Sequence, residues 1–93
     1  MLRINAKIYF KTKEEGGLHK DGVSGMQPSF FMPNDLIICK LISNTGDHQF
    51  KLGNEYELVV ELPYGEEFKD EVVASYKFHL NIGGLEFASG VVL

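Results

Sequence analysis

Apolar side chains recur at every second position along most of this 93-residue chain. Leu2, Ile4, Ala6, Ile8 and Phe10 alternate with Arg3, Asn5, Lys7, Tyr9 and Lys11. Tyr56, Leu58, Val60 and Leu62 alternate with Glu55, Glu57, Val59 and Glu61, and Tyr76, Phe78, Leu80 and Ile82 alternate with Ser75, Lys77, His79 and Asn81. Successive side chains of a strand point to opposite faces, so each run predicts one buried and one wet face. A helix would need a period near 3.6, which the chain nowhere sustains. Met26 to Met32, carrying Phe30 and Phe31, predicts a further strand. Leu36 to Ile42 is a nearly continuous apolar run, the pattern of a strand covered on both sides. Short strands are expected at Gln49 to Leu52 and at Leu85 to Leu93.

The connections read as turns. Ser43-Asn44-Thr45-Gly46-Asp47, Gly53-Asn54 and Pro63-Tyr64-Gly65 supply the Gly, Asn or Pro that reversals need. Ile82-Gly83-Gly84-Leu85 is the sharpest hairpin signal, because a two-residue primed turn requires positive φ. Residues 12 to 25 form the one long, glycine-rich loop, the kind of segment in which function tends to sit. A flat sheet of about six short strands would leave edges and an apolar face in water. The expected fold is therefore all-β, one domain over residues 1–93, a small closed barrel or sandwich.

Composition narrows the function. Nine Lys+Arg against 13 Asp+Glu give a net charge of −4, and the 44% hydrophobic share is ordinary for a globular domain. A chain this short buries roughly 60–65% of its unfolded surface, leaving little space for a deep catalytic cleft. The single Cys39 excludes an internal disulfide, no secretory signal opens the chain, and no apolar stretch approaches the ~20 residues of a membrane span. The cytoplasm is the expected compartment. Charge is uneven: residues 1–51 carry seven basic and five acidic groups, whereas 52–93 carry two and eight. Arg3 is the only arginine, so the bidentate phosphate contacts typical of nucleic-acid binders are not expected.

Chemistry-bearing patterns are sparse. Gly16-Gly17-Leu18-His19-Lys20-Asp21-Gly22 has glycines and a lysine in the wrong order for a phosphate-binding loop. His19, His48 and His79 are far apart in sequence with no cysteine partner nearby, and neither a metal nor a cofactor is expected. Ser24, Ser29, Ser75 and Ser89 lack a nucleophile-elbow context, and Cys39 in an apolar strand reads as a core thiol. Glu14-Glu15, Glu66-Glu67 and Asp70-Glu71 are adjacent pairs, which a strand would send to opposite faces. The chain is not expected to be an enzyme.

Three segments occur in a suggestive order. The first is Ala6-Lys7-Ile8-Tyr9-Phe10, followed by Lys13-Glu14-Glu15-Gly16-Gly17-Leu18-His19 and by Gly25-Met26-Gln27-Pro28-Ser29-Phe30-Phe31. Near the end of the chain stands Tyr76-Lys77-Phe78-His79-Leu80-Asn81-Ile82-Gly83-Gly84-Leu85-Glu86-Phe87-Ala88-Ser89-Gly90-Val91-Val92. Over nearly its whole length this order resembles the C-terminal β-barrel, the third domain, of elongation factor Tu. In that family the first stretch runs acidic, Gly-Gly-Arg-His, then Gly-Tyr-Arg-Pro-Gln-Phe, and the last runs Arg-Phe-Ala-Ile-Arg-Glu-Gly-Gly-Arg-Thr-Val-Gly-Ala-Gly-Val-Val. The turn Leu52-Gly53-Asn54 and the strand from Glu55 to Leu62 are similar too.

The resemblance implies a six-stranded antiparallel Greek-key barrel, normally packed on a second barrel and, in the GTP state, on a GTPase domain. Neither neighbour is in this sequence, so no GTP binding is expected of it, and the chain reads as a free-standing barrel or one excised from a larger protein. The family's barrel also touches the T-stem of aminoacyl-tRNA. Here Leu18 stands where the family has Arg, Ser29 where it has Gln, Asn81-Ile82 where it has Arg-Glu and Leu85 where it has Arg, while His19 and Gly83 are kept. Each missing Arg removes a charge-assisted phosphate contact, so a tRNA partner is disfavoured.

By the same resemblance, Gly16, Gly17, Ser29, His79 and Ile82 match positions that face the GTPase domain. Leu18, Ile82 and Leu85, apolar where the family is charged, either form an exposed interface or fold onto the barrel's own loop. The candidate interface is Gly16, Gly17, Leu18, His19, Ser29, His79, Ile82, Gly83 and Leu85. The expected function is a non-catalytic protein-interaction module whose partner is a translation factor or a protein that binds one. The alternative is an accessory tRNA-binding barrel using Lys11, Lys13, His19 and Lys20.

Overall fold

The computed structural model describes residues 1–46 and 48–93; Asp47, the last residue of the expected Ser43 to Asp47 turn, lies outside the described residues. Along the chain run β1 (Leu2–Phe10), β2 (Gly22–Val23), β3 (Ser29–Met32), β4 (Asp35–Ile38), β5 (Lys40–Ser43), β6 (Gln49–Phe50), β7 (Glu55–Leu62), a turn of 3₁₀-helix (Glu66–Phe68), β8 (Lys77–Ile82) and β9 (Leu85–Val92). Seven strands form one sheet in the order β4-β3-β8-β9-β1-β7-β5, and β2 pairs with β6 apart from it. Every pairing is antiparallel. The protein is all-β.

The period-two runs set the faces. Ile4, Ala6, Ile8 and Phe10 of β1, Leu58, Val60 and Leu62 of β7, and Phe78 and Leu80 of β8 are all buried. The sheet curls around them into an antiparallel half-barrel. A single layer would be about 10 Å thick, whereas the smallest extent of the molecule is 20 Å. Aromatic rings fill the concave side: Phe30 stacks on Phe78 at 4.5 Å, and Phe10 stacks on Phe50 of β6 at 5.2 Å. The β2–β6 pair thereby anchors the long loop to the core.

Two segments depart from expectation. The Leu36 to Ile42 run is covered on one side only: Ile37, Cys39 and Leu41 are buried, while Leu36 and Ile38 are 49% and 42% exposed. One curled sheet has one core, and among the described residues no layer packs on the outside of β4. The run is also broken at Cys39, whose N–H donates to the Pro28 carbonyl at 3.0 Å while the Leu41 N–H donates to that of Met26 at 3.0 Å. Ile82 falls out of the alternation and is 41% exposed. The register shifts between Leu80 and Asn81, so Leu80 faces Ala88 but Asn81 faces Glu86. The extra residue, Phe87, enters the core beside Ala88, and Ile82 is carried to the hairpin tip opposite Leu85.

Candidate functional site

β1 leaves the sheet at Phe10 and enters a tight turn that contains the first two candidate residues. The Gly17 N–H donates to the Thr12 carbonyl at 2.9 Å. Thr12 and Glu15 also bond reciprocally: the Glu15 N–H reaches Thr12 Oγ1 at 3.2 Å and the Thr12 N–H reaches Glu15 Oε1 at 2.9 Å. This is the capping-box exchange, used here to close a turn. The Tyr9 hydroxyl donates to the same Oε1 at 2.5 Å. Thr12's backbone N–H, chiefly, and Tyr9's hydroxyl hold the Glu15 carboxyl below its ordinary value, and that bond in turn raises the Tyr9 phenol.

Both glycines in the turn are required by geometry. Gly16 has φ +91°, and a Cβ on Gly17 would lie 2.4 Å from the Lys11 carbonyl oxygen. Leu18 is half-buried and packs against the core. His19 is exposed and takes part in no hydrogen bond or ion pair among the described residues.

The turn is tied to the other candidates by one ion-pair cluster. Lys11 Nζ stands 2.9 Å from Glu86 Oε2, and His79 Nδ1 stands 3.4 Å from the same oxygen. Lys11's hydrogen bond is the main cause that holds the Glu86 carboxyl low, and the His79 and Lys11 charges add to it. Ser29 pairs with Asn81, which pairs with Glu86, so Ser29 joins the cluster through the sheet ladder. The Asn81 side-chain oxygen is buried with no hydrogen-bond partner among the described residues.

Beside the cluster, Ile82 and Leu85 face each other across Gly83 and Gly84, whose φ values of +55° and +83° make a two-residue primed turn. Ile82 and Leu85 are 41% and 40% exposed. Of the nine candidates, Gly16, Gly17, Ser29, His79, Ile82, Gly83 and Leu85 are thus linked by turn, pairing and ion-pair contacts, whereas Leu18 is engaged with the core and His19 stands apart.

Several contributing residues were not among the candidates. Glu15 carries a legible signal in the Thr12-x-x-Glu15 spacing, but the Lys11–Glu86 pair joins residues at opposite ends of the chain and has no local signature. On the convex face, Lys7, Tyr9, Lys77, His79 and Ser89 line an open groove of about 370 Å³. A second depression, about 760 Å³, lies between His48, Gln49, Lys51, Asn54, Glu55 and Tyr56, away from the cluster.

Three cations near the convex face are paired: Lys7 lies 4.0 Å from Glu55, Arg3 2.7 Å from Glu61, and Lys11 is held by Glu86. Among the described residues no group of three or more His, Cys, Asp or Glu is placed to hold a metal ion, and no helix is long and apolar enough to cross a membrane. A comparison of the sequence with models of known protein families finds no match.

Proposed function

We propose that this chain is a non-catalytic protein-interaction module of the kind the elongation factor Tu C-terminal barrel exemplifies, binding a partner linked to translation factors. The carrying observation is the apolar tip of the β8–β9 hairpin, Ile82 and Leu85, exposed beside a charge-compensated cluster. Interfaces are built this way, with an apolar centre inside a polar rim. The closed six-stranded Greek-key barrel belongs to the same reading. In its favour, β4 and β5 stand at opposite ends of the sheet order yet are separated only by Cys39. Counting that run as one strand leaves β1, β3, β4–β5, β7, β8 and β9 as the six staves.

The RNA-binding alternative has less support. Lys11 is neutralised by Glu86, leaving Lys13, His19 and Lys20 on a chain of net charge −4, and phosphate affinity scales with the number of charges neutralised. Affinity capture from nuclease-treated lysate with the wild-type chain and an Ile82→Ser/Leu85→Ser variant separates the two. The interaction reading expects a protein retained by the first and lost by the second. Equal retention by both contradicts it, and partners that vanish with nuclease favour RNA.

A further inference from the structure

The far edge of β4 is open. Main-chain groups alternate in direction along a strand. Because the Cys39 N–H donates to Pro28, those of Ile37 point toward β3, and those of Leu36 and Ile38 point away from it. Lys40 faces Glu61 of β7, and continuing that register would set Ile38 against Pro63. Proline has no N–H to offer, and there the chain turns away, the Gly65 N–H donating to the Leu62 carbonyl at 3.0 Å. β4 therefore pairs with β3 alone. The Leu36 N–H is capped by Asp35 Oδ1 at 2.9 Å; the Leu36 carbonyl and both main-chain groups of Ile38 have no partner among the described residues. Outward from this edge stand Leu36 and Ile38, with Phe31, 44% exposed, across from Leu36 on β3. Unpaired main chain flanked by apolar side chains is a template for another strand.

We propose that the edge is filled by β4 of a second copy of this chain, added antiparallel about a two-fold axis at Ile37. The strand is self-complementary in that register. Leu36 of each copy lies opposite Ile38 of the other on the outer face, and the two pairs exchange main-chain hydrogen bonds that satisfy the Leu36 carbonyl and both groups of Ile38 and replace the Asp35 cap on the Leu36 N–H. Charge agrees: β4 begins at Asp35 and is followed by Lys40, which has no ion pair among the described residues. Antiparallel addition brings the acidic start of one copy toward the basic end of the other, releasing Asp35 from its cap on Leu36. A parallel arrangement would set like charges together.

Sedimentation velocity from micromolar to about millimolar concentration tests this. The wild-type chain is expected to shift from monomer to dimer, and a Leu36→Lys/Ile38→Lys variant, which sets lysine against lysine, to stay monomeric. Both substituted residues are exposed, so far-UV circular dichroism should be unchanged. For register, an equimolar mixture of Leu36→Cys and Ile38→Cys chains should cross-link under mild oxidation several-fold faster than either alone. A wild-type chain that remains a 10.5 kDa monomer throughout, a lysine variant that dimerises like wild type, or equal cross-linking in all three samples overturns the proposal.

Discussion

A Cβ on Gly17 would stand 2.4 Å from the Lys11 carbonyl oxygen and 2.8 Å from that of Thr12, backbone atoms that cannot give way, whereas nothing lies within 4 Å of the same position on Gly16. Gly17→Ala should therefore destabilise by about 2 kcal/mol or more through forced displacement. Gly16→Ala should cost about 1–2 kcal/mol, from its positive φ alone. Urea denaturation of the two variants checks that order. At the cluster, Glu86 is held below its ordinary value in the folded protein. A group depressed in this way contributes stability that is present above its unfolded value and is lost as pH falls through the folded one. Lys11→Met should raise the Glu86 midpoint in a carboxyl NMR titration and flatten the loss of stability on acidification. An unchanged midpoint would mean that Lys11 is not what holds the carboxylate.

At the scale of the elements, alternation is a local property, and it identified β1, β7 and β8 from the sequence with their buried faces. What it could not register is pairing. The bulge that expels Ile82 depends on how β8 meets β9, and the bare outer face of Leu36 and Ile38 depends on which layers the fold lacks. β2, two residues long, is held by its partner β6 rather than by any pattern of its own. The candidate site was legible to the extent that turn glycines are legible. Gly16, Gly17 and Gly83 showed in the sequence, while the Lys11–Glu86–His79 cluster that ties them together is a product of the sheet. Gly90 illustrates such cross-strand dependence: opposite Phe78 in the ladder, it leaves space for a ring that would otherwise lie 2.5 Å from a Cβ. Gly90→Ala should cost about 1–3 kcal/mol, and Phe78→Leu in the same chain should recover part of it. Strict additivity of the two in a double-mutant cycle would show that the ring is not the obstacle.

As a whole, the molecule has a radius of gyration of 12.1 Å, close to the ~12 Å of a compact chain this long. Its core is apolar, with no polar or charged residue buried among the described residues. The ion pairs among the described residues lie at the surface and are worth little individually. Among the candidate residues the exposed apolar groups are Ile82 and Leu85. The most direct test is a ¹⁵N–¹H NMR spectrum of the labelled chain, alone and with whatever protein the wild-type chain retains from nuclease-treated lysate. Resonances of residues 79 and 82–85, with the 16–17 turn behind them, should shift or broaden while those of the β2–β6 pair stay in place. Perturbation centred on His48, Lys51 and Tyr56, or none at all, would contradict the account.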